Sequence, residues 1–139
     1  MDGLKTASYV STLSIKGKSM KDSVRKSDWK IVDMPETYEV AKIDRSLSEQ
    51  EYQTLVCGFL PRDMDDRWFL YVQDNWVYLH RSWTGHCIFK LKLEVSSGNV
   101  MLTDIHINRD PDQYRSVNTE ADKNEANSVL TSLLGMIRV

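Results

Sequence analysis

His80, Ser82, Cys87 and His106 are the side chains of this sequence that could do acid–base or nucleophilic chemistry, and Arg67, Asp104 and Asn108 could orient a ligand beside them. A histidine near a serine or cysteine is the least that activation of a nucleophile requires. His80 and Ser82 stand two residues apart, about 6.6 Å at Cα if the stretch is extended. Neither nucleophile sits in a strand-to-helix elbow, and no glycine-rich oxyanion loop is in view. A shared metal would need the two imidazoles close together, yet two strand spacings, roughly 9–10 Å, are expected between them. No metal or cofactor is therefore expected. Ligand recognition fits the residue types better. Phe69, Tyr71, Trp76 and Tyr78 supply flat surfaces, and Arg67, His80, Asp104, His106 and Asn108 supply donors and acceptors, a combination suited to a planar or nucleotide-like ligand. The string His80-Arg81-Ser82-Trp83-Thr84-Gly85 is dense in such groups, and Arg81 can stack on Trp68 as a cation–π pair.

These residues come together only if residues 67–108 form an antiparallel meander. Four runs rich in aromatic and β-branched residues, Arg67–Gln73, Trp76–Trp83, His86–Val95 and Asn99–Asn108, are separated by Asp74-Asn75, Thr84-Gly85 and Ser97-Gly98. Each pair suits a two-residue hairpin turn. Three such turns set the register without a free parameter. One face then carries the rows Gln73–Trp76–Leu93–Leu102, Tyr71–Tyr78–Leu91–Asp104, Phe69–His80–Phe89–His106 and Arg67–Ser82–Cys87–Asn108. The opposite face is largely apolar except for Lys90 and Lys92.

Around the meander, Ser48-Glu49-Gln50-Glu51 is a capping box, and Tyr52, Leu55, Val56 and Phe59 lie on one helical face. Gly58 and Pro61 end that helix, which runs from about Glu49 to Cys57. A second helix starts from a cap at Asn118 or Thr119 and carries the stripe Ala126, Val129, Leu130, Leu133, Leu134 and Ile137. Trp29–Met34 and Tyr38–Ile43 read as short strands around Pro35-Glu36-Thr37. Residues 1–27 read as a basic flexible arm and residues 28–139 as one domain. The acidic stretch Asp63-Met64-Asp65-Asp66 reads as a solvated linker. The fold class is α+β: an antiparallel meander sheet of four or more strands with two amphipathic helices packed on it.

The 139 residues, 41% of them apolar, provide for one core. A formal charge of −2 argues against nucleic acid. No apolar run approaches the roughly 18–20 residues that span a bilayer, so no membrane is expected. The two cysteines, Cys57 and Cys87, are too few for a disulfide framework, and two buried thiols suit the cytoplasm.

From Ser48 to about Arg115 the chain resembles a family of small uncharacterised bacterial domains. The resemblance lies in Gly58-Phe59, Pro61, Met64-Asp65-Asp66-Arg67-Trp68-Phe69, the His80–Gly85 string, Asn108-Arg109-Asp110 and Gln113-Tyr114. Such segments occur alone or beside ADP-ribosylglycohydrolase-like domains, which implies a link to ADP-ribose or NAD-derived metabolites. It carries over no catalytic residue.

The expectation is a small-ligand binding module with Arg67, Tyr71, Tyr78, His80, Arg81, Ser82, Trp83, Asp104, His106 and Asn108 at its site. A protein–protein interaction or inhibitor protein comes second. A small hydrolase using His80 with Ser82 or Cys87 comes third, so enzymatic activity stays open.

Overall fold

Helix α1 (Glu49–Cys57) forms where its capping box places it. Ser48 Oγ accepts from the Glu51 N–H at 3.0 Å, and the Ser48 N–H donates to Glu51 Oε1 at 2.9 Å. In this computed structural model, which describes residues 23–136, helix α2 (Thr119–Met136) starts in the same way, with the Ala121 N–H donating to Asn118 Oδ1. Ile137, the last residue of the expected stripe, lies outside the described residues, as does the expected arm as far as residue 22. Packing begins by Val24, whose N–H donates to the Cys57 carbonyl at 2.8 Å.

The five strands are β1 (Tyr38–Leu47), β2 (Trp68–Gln73), β3 (Trp76–Arg81), β4 (Cys87–Ser96) and β5 (Asn99–Asn108). They form one antiparallel sheet in the order β1-β5-β4-β3-β2, a four-strand meander with β1 added beside β5. The class is α+β, as expected. β1 runs four residues further than the expected Tyr38–Ile43, because a bulge at Asp44, with φ 45°, lets pairing resume at Arg45. Trp29–Met34 is not a strand. It follows a 3-10 turn at Lys26–Asp28 and touches the sheet through one parallel bridge, Val32 to His86.

Two of the three expected hairpins have the expected register: Gln73 pairs with Trp76 and Ser96 with Asn99. The third does not. Ser82 to Gly85 form a four-residue loop, closed by the Arg81 N–H on the His86 carbonyl and the Gly85 N–H on the Arg81 carbonyl. Trp76 therefore faces Lys92, and Tyr78 faces Lys90. Leu79 pairs with Phe89 and His80 with Cys87, so Ile88 is an extra residue in the ladder. From Phe89 onward the alternation of β4 is inverted relative to the expected rows, while Cys87 keeps the face of His80. A second irregularity, between Leu91 and Leu93, inverts the far half of β5 again, so that Lys90 faces His106.

The inversion gathers the aliphatic residues. Leu70, Val77, Leu79, Phe89, Leu91, Leu93, Leu102, Ile105 and Ile107 form one buried cluster with Leu55 of α1 and Ala126, Val129, Leu130 and Leu133 of α2. Full burial of each large side chain is worth about 1.5–3 kcal/mol, which favours this register over one that puts Lys90 and Lys92 under the helices. The opposite face carries Phe69, Tyr71, Trp76, Tyr78, His80, Lys90 and His106. Residues 23–34 cover its β2 end, where Trp29 stacks on Phe69 at 6.1 Å. No helix among the described residues is long and apolar enough to cross a membrane.

Gly85 seats that covering strap. Its φ is +81°, and a Cβ there would stand 2.6 Å from the Lys30 carbonyl oxygen. Gly98, with φ +75°, would have nothing among the described residues within 4 Å of an added Cβ. Left-handed backbone costs an alanine about 1–2 kcal/mol at either position. Urea unfolding should show Gly85→Ala losing clearly more than Gly98→Ala. Equal losses would mean that the strap does not rest on the loop.

Candidate functional site

Three segments distant in sequence meet at one end of the sheet around a cleft of about 750 Å³. Met64, Asp65 and Arg67 come from the stretch before β2. Arg81, Trp83 and Thr84 come from the end of β3 and its loop. Gln113, Tyr114, Arg115 and Ser116 come from the stretch between β5 and α2.

The first wall, the acidic stretch, is exposed at Asp63, Met64 and Asp65, as its composition suggested, and is tied down at Asp66. Asp66 accepts from the Arg62 N–H at 2.9 Å and from Nε at 2.7 Å, which curls the stretch on itself. Its carbonyl accepts from Ser82 Oγ at 2.8 Å. The Trp83 indole N–H donates to the Met64 carbonyl at 3.2 Å, tying the first wall to the second. Trp83 remains 71% exposed. Arg81 lies over the Trp68 ring at 4.8 Å, the stacking anticipated from the sequence.

The third wall hangs on a buried ion pair. Arg109 Nη1 lies 2.7 Å from Asp122 Oδ2, its Nε 2.9 Å from Glu39 Oε1, and Nη1 also donates to the Ser116 carbonyl at 2.9 Å. The Asp122 side chain is only 2% exposed, and Tyr114 OH donates to its Oδ1 at 2.6 Å. Burial and that hydrogen bond both raise the Tyr114 phenol above its ordinary value. Asn108 Nδ2 donates to the Cys87 carbonyl and to Gln113 Oε1, so Asn108 holds the wall from behind.

Charge is sorted unevenly across these residues. Arg25, Arg45, Arg62 and Arg109 are each engaged by a carboxylate, carbonyl or amide oxygen. Arg67, Arg81 and Arg115 have no carboxylate partner among the described residues, and all three line the cleft, with Asp65 its one carboxylate. Three guanidiniums beside an exposed, hydrogen-bonded indole can meet an anion and stack a planar group.

Of the ten residues expected at a site, Arg67, Arg81 and Trp83 reach this cleft. Ser82 and Asn108 hold its walls, and the other five lie on the sheet's outer face. Tyr71 and Tyr78 stack at 4.5 Å, and His80 packs on Tyr71 at 5.7 Å. Asp104 pairs with Lys42 at 2.9 Å. His106 stands between Tyr38 at 4.8 Å and Trp76 at 4.9 Å, while Lys90 Nζ lies 4.6 Å from the Trp76 ring centre. His80 and His106 share a face but are two strands and two residues apart, roughly 12 Å. Reasoning from residue types missed Met64, Asp65, Gln113, Tyr114, Arg115 and Ser116 as lining. Gln113 and Tyr114 belonged only to the resemblance, Met64 and Asp65 also to the acidic stretch read as a linker, and Arg115 gave no local signal.

The hydrolase arrangement lacks its contact. His80 Nδ1 is 2.8 Å from the Gly85 carbonyl, so the carbonyl assigns the proton to Nδ1. Ser82 Oγ donates to Asp66, and burial pushes the Cys87 thiol up to about 12. Neither nucleophile is hydrogen-bonded to His80. The Gly85 carbonyl also accepts from the Val32 N–H at 2.8 Å, and Trp29 Nε1 donates to the Ser82 carbonyl at 2.9 Å. His80 and the strap thus grip the loop that presents Trp83.

His80 is 1% exposed, its Nε2 has no hydrogen-bond partner among the described residues, and burial holds its pKa below 6.5. The unfolded chain therefore takes up a proton first. Stability should fall as pH drops through the ordinary imidazole value and stop falling below the folded one. Denaturant unfolding between about pH 7.5 and 5.5 should show this slope, and His80→Asn should flatten it more than His106→Asn does. An unchanged slope in His80→Asn would assign the acid sensitivity to another group.

Comparison with protein-family models, with curated proteins and with solved structures finds no match for this chain.

Proposed function

We propose that this protein is a binding module for a planar, negatively charged small molecule of nucleotide-like chemistry. The observation that carries the reading is the convergence of Arg67, Arg81 and Arg115, without carboxylate partners among the described residues, beside the exposed Trp83. The volume of about 750 Å³ falls within the range of small-molecule sites. Arg81 is oriented by the Trp68 face rather than neutralised by an acid, so its hydrogen-bonding edge stays available. The site is on relatively rigid supports, since every wall is tied by side-chain hydrogen bonds to the sheet or to another wall.

A protein partner presenting a carboxylate is the second reading. Met64 and Trp83 are both 71% exposed beside arginines, and tryptophan and arginine are among the residue types that dominate interface hot spots.

Calorimetry and thermal shift against nucleotides, NAD and ADP-ribose test the first reading. At least one should bind and raise the melting temperature. Arg81→Ala should weaken it by about 1.5–3 kcal/mol, the worth of a charge-assisted hydrogen bond. Trp83→Ala should cost about 1–3 kcal/mol through lost stacking. Absence of binding across the panel would remove the nucleotide reading and leave the protein partner.

A further inference from the structure

We propose that residues 29–34 form a pH-sensitive strap, which leaves the β3–β4 loop when His80 takes up a proton and so uncovers the rings of Phe69 and Tyr71. The device does not depend on what the cleft holds. The outer face of the sheet is only half-buried at Trp76 and Tyr78, yet Phe69, Tyr71 and His80 on the same face are buried. The difference lies in the strap. Its Trp29 stacks on Phe69, and its Lys30 carbonyl oxygen and Ile31 Cα leave no room for a Cβ on Gly85.

One carbonyl joins the strap to the imidazole. The Gly85 oxygen accepts from the Val32 N–H and from His80 Nδ1, both at 2.8 Å. That leaves Nε2 as the atom to be protonated, and it has no hydrogen-bond partner among the described residues. Around the ring stand Phe69 at 6.1 Å and Tyr71 at 5.7 Å from β2, Tyr78 at 6.5 Å from β3, and Cys87, the cross-strand partner of His80 in β4. Burial raises both phenols and the thiol, so all three are neutral in the acid range. The charged groups that act on His80 are Asp33 of the strap and Lys26 of the turn before it, which pair with each other at 3.4 Å. Asp33 favours the imidazolium, Lys26 opposes it, and burial outweighs both. A proton on Nε2 therefore finds neither an acceptor nor water while the strap is closed. Opening admits water, so protonation and opening favour each other.

Hydrogen exchange of the full chain, followed by NMR between about pH 7.5 and 5.5 with and without about 1 M urea, tests this. The Val32 amide should exchange through a local opening, with a protection factor that the urea barely changes. That factor should fall by up to about tenfold per pH unit below about 6.5, the slope of one proton. The Leu93 amide, which donates to the Asn75 carbonyl, should stay better protected and should respond to urea. His80→Gln should abolish the pH dependence at Val32. His86→Gln, at the residue that bridges Val32, should keep it. Equal protection and equal urea response at Val32 and Leu93 would overturn the device, since the strap would then leave only with the whole fold; that comparison needs no variant. A Val32 protection factor independent of pH in the unaltered chain, or a pH dependence that survives in His80→Gln, would overturn it as well.

Discussion

Between β3 and β4 the chain uses four residues for a loop and one more for the bulge at Ile88, and that one extra residue decides what the side chains of β4 from Phe89 onward face. In a sheet, neighbouring residues point to opposite sides, so a one-residue change of register exchanges the two faces of a strand. With the observed offset, Phe89, Leu91 and Leu93 join Val77 and Leu79 beneath the helices. With a two-residue turn, Lys90 and Lys92 would occupy those positions instead. Placing two unpaired ammonium groups in a core costs several kcal/mol each. A four-residue loop without the bulge would still set Lys90 opposite Val77, so the hydrophobic demand of α1 and α2 selects the extra residue at Ile88. The irregularity opposite Leu91–Leu93 brings β5 back into alignment, which keeps Ile105 and Ile107 in the core and His106 outside it.

The longer loop also makes the cleft. It carries Trp83 and Thr84 out beyond the sheet, and three separate supports fix it there: the carbonyl of Met64, the carbonyl of Asp66, and the strap through Trp29 and Val32. Gly85 lets the strap backbone approach closely, and its carbonyl takes both the His80 imidazole and the Val32 amide. His80 acts here as a structural donor on the far side of the sheet from the core. His80 and Cys87 are both buried, and neither Ser82 nor Cys87 is hydrogen-bonded to His80.

Electrostatic sorting sets the character of the cleft. Asp66 is taken by Arg62, and Asp122 and Glu39 are taken by Arg109. Asp66, Asp122 and Glu39 are thus committed, while Arg67, Arg81 and Arg115 have no carboxylate partner among the described residues and Asp65 is the one carboxylate in the cleft lining. Net charge conceals this. A chain with a formal charge of −2 still concentrates positive charge locally, because burial and pairing decide which groups are available.

Local chemistry alone determined both helices, since a capping box, an asparagine cap and a stripe at spacings of three and four act within a few residues. It also determined the Asp74-Asn75 and Ser97-Gly98 turns, where two residues of positive-φ or glycine character suffice. The stacking of Arg81 on Trp68 followed from the first of those turns, and so did the membership of Arg67, Arg81 and Trp83 in one region. Thr84-Gly85 has the same local appearance as the other turns, and Gly85 does adopt positive φ. Its surroundings were settled elsewhere: the strap fifty residues upstream holds the loop, and the helices that β4 must feed require the extra residue at Ile88. The convergence of Arg115 and Met64 on that loop likewise depends on ion pairs and hydrogen bonds between segments remote in sequence. Only the assembled sheet places those segments side by side.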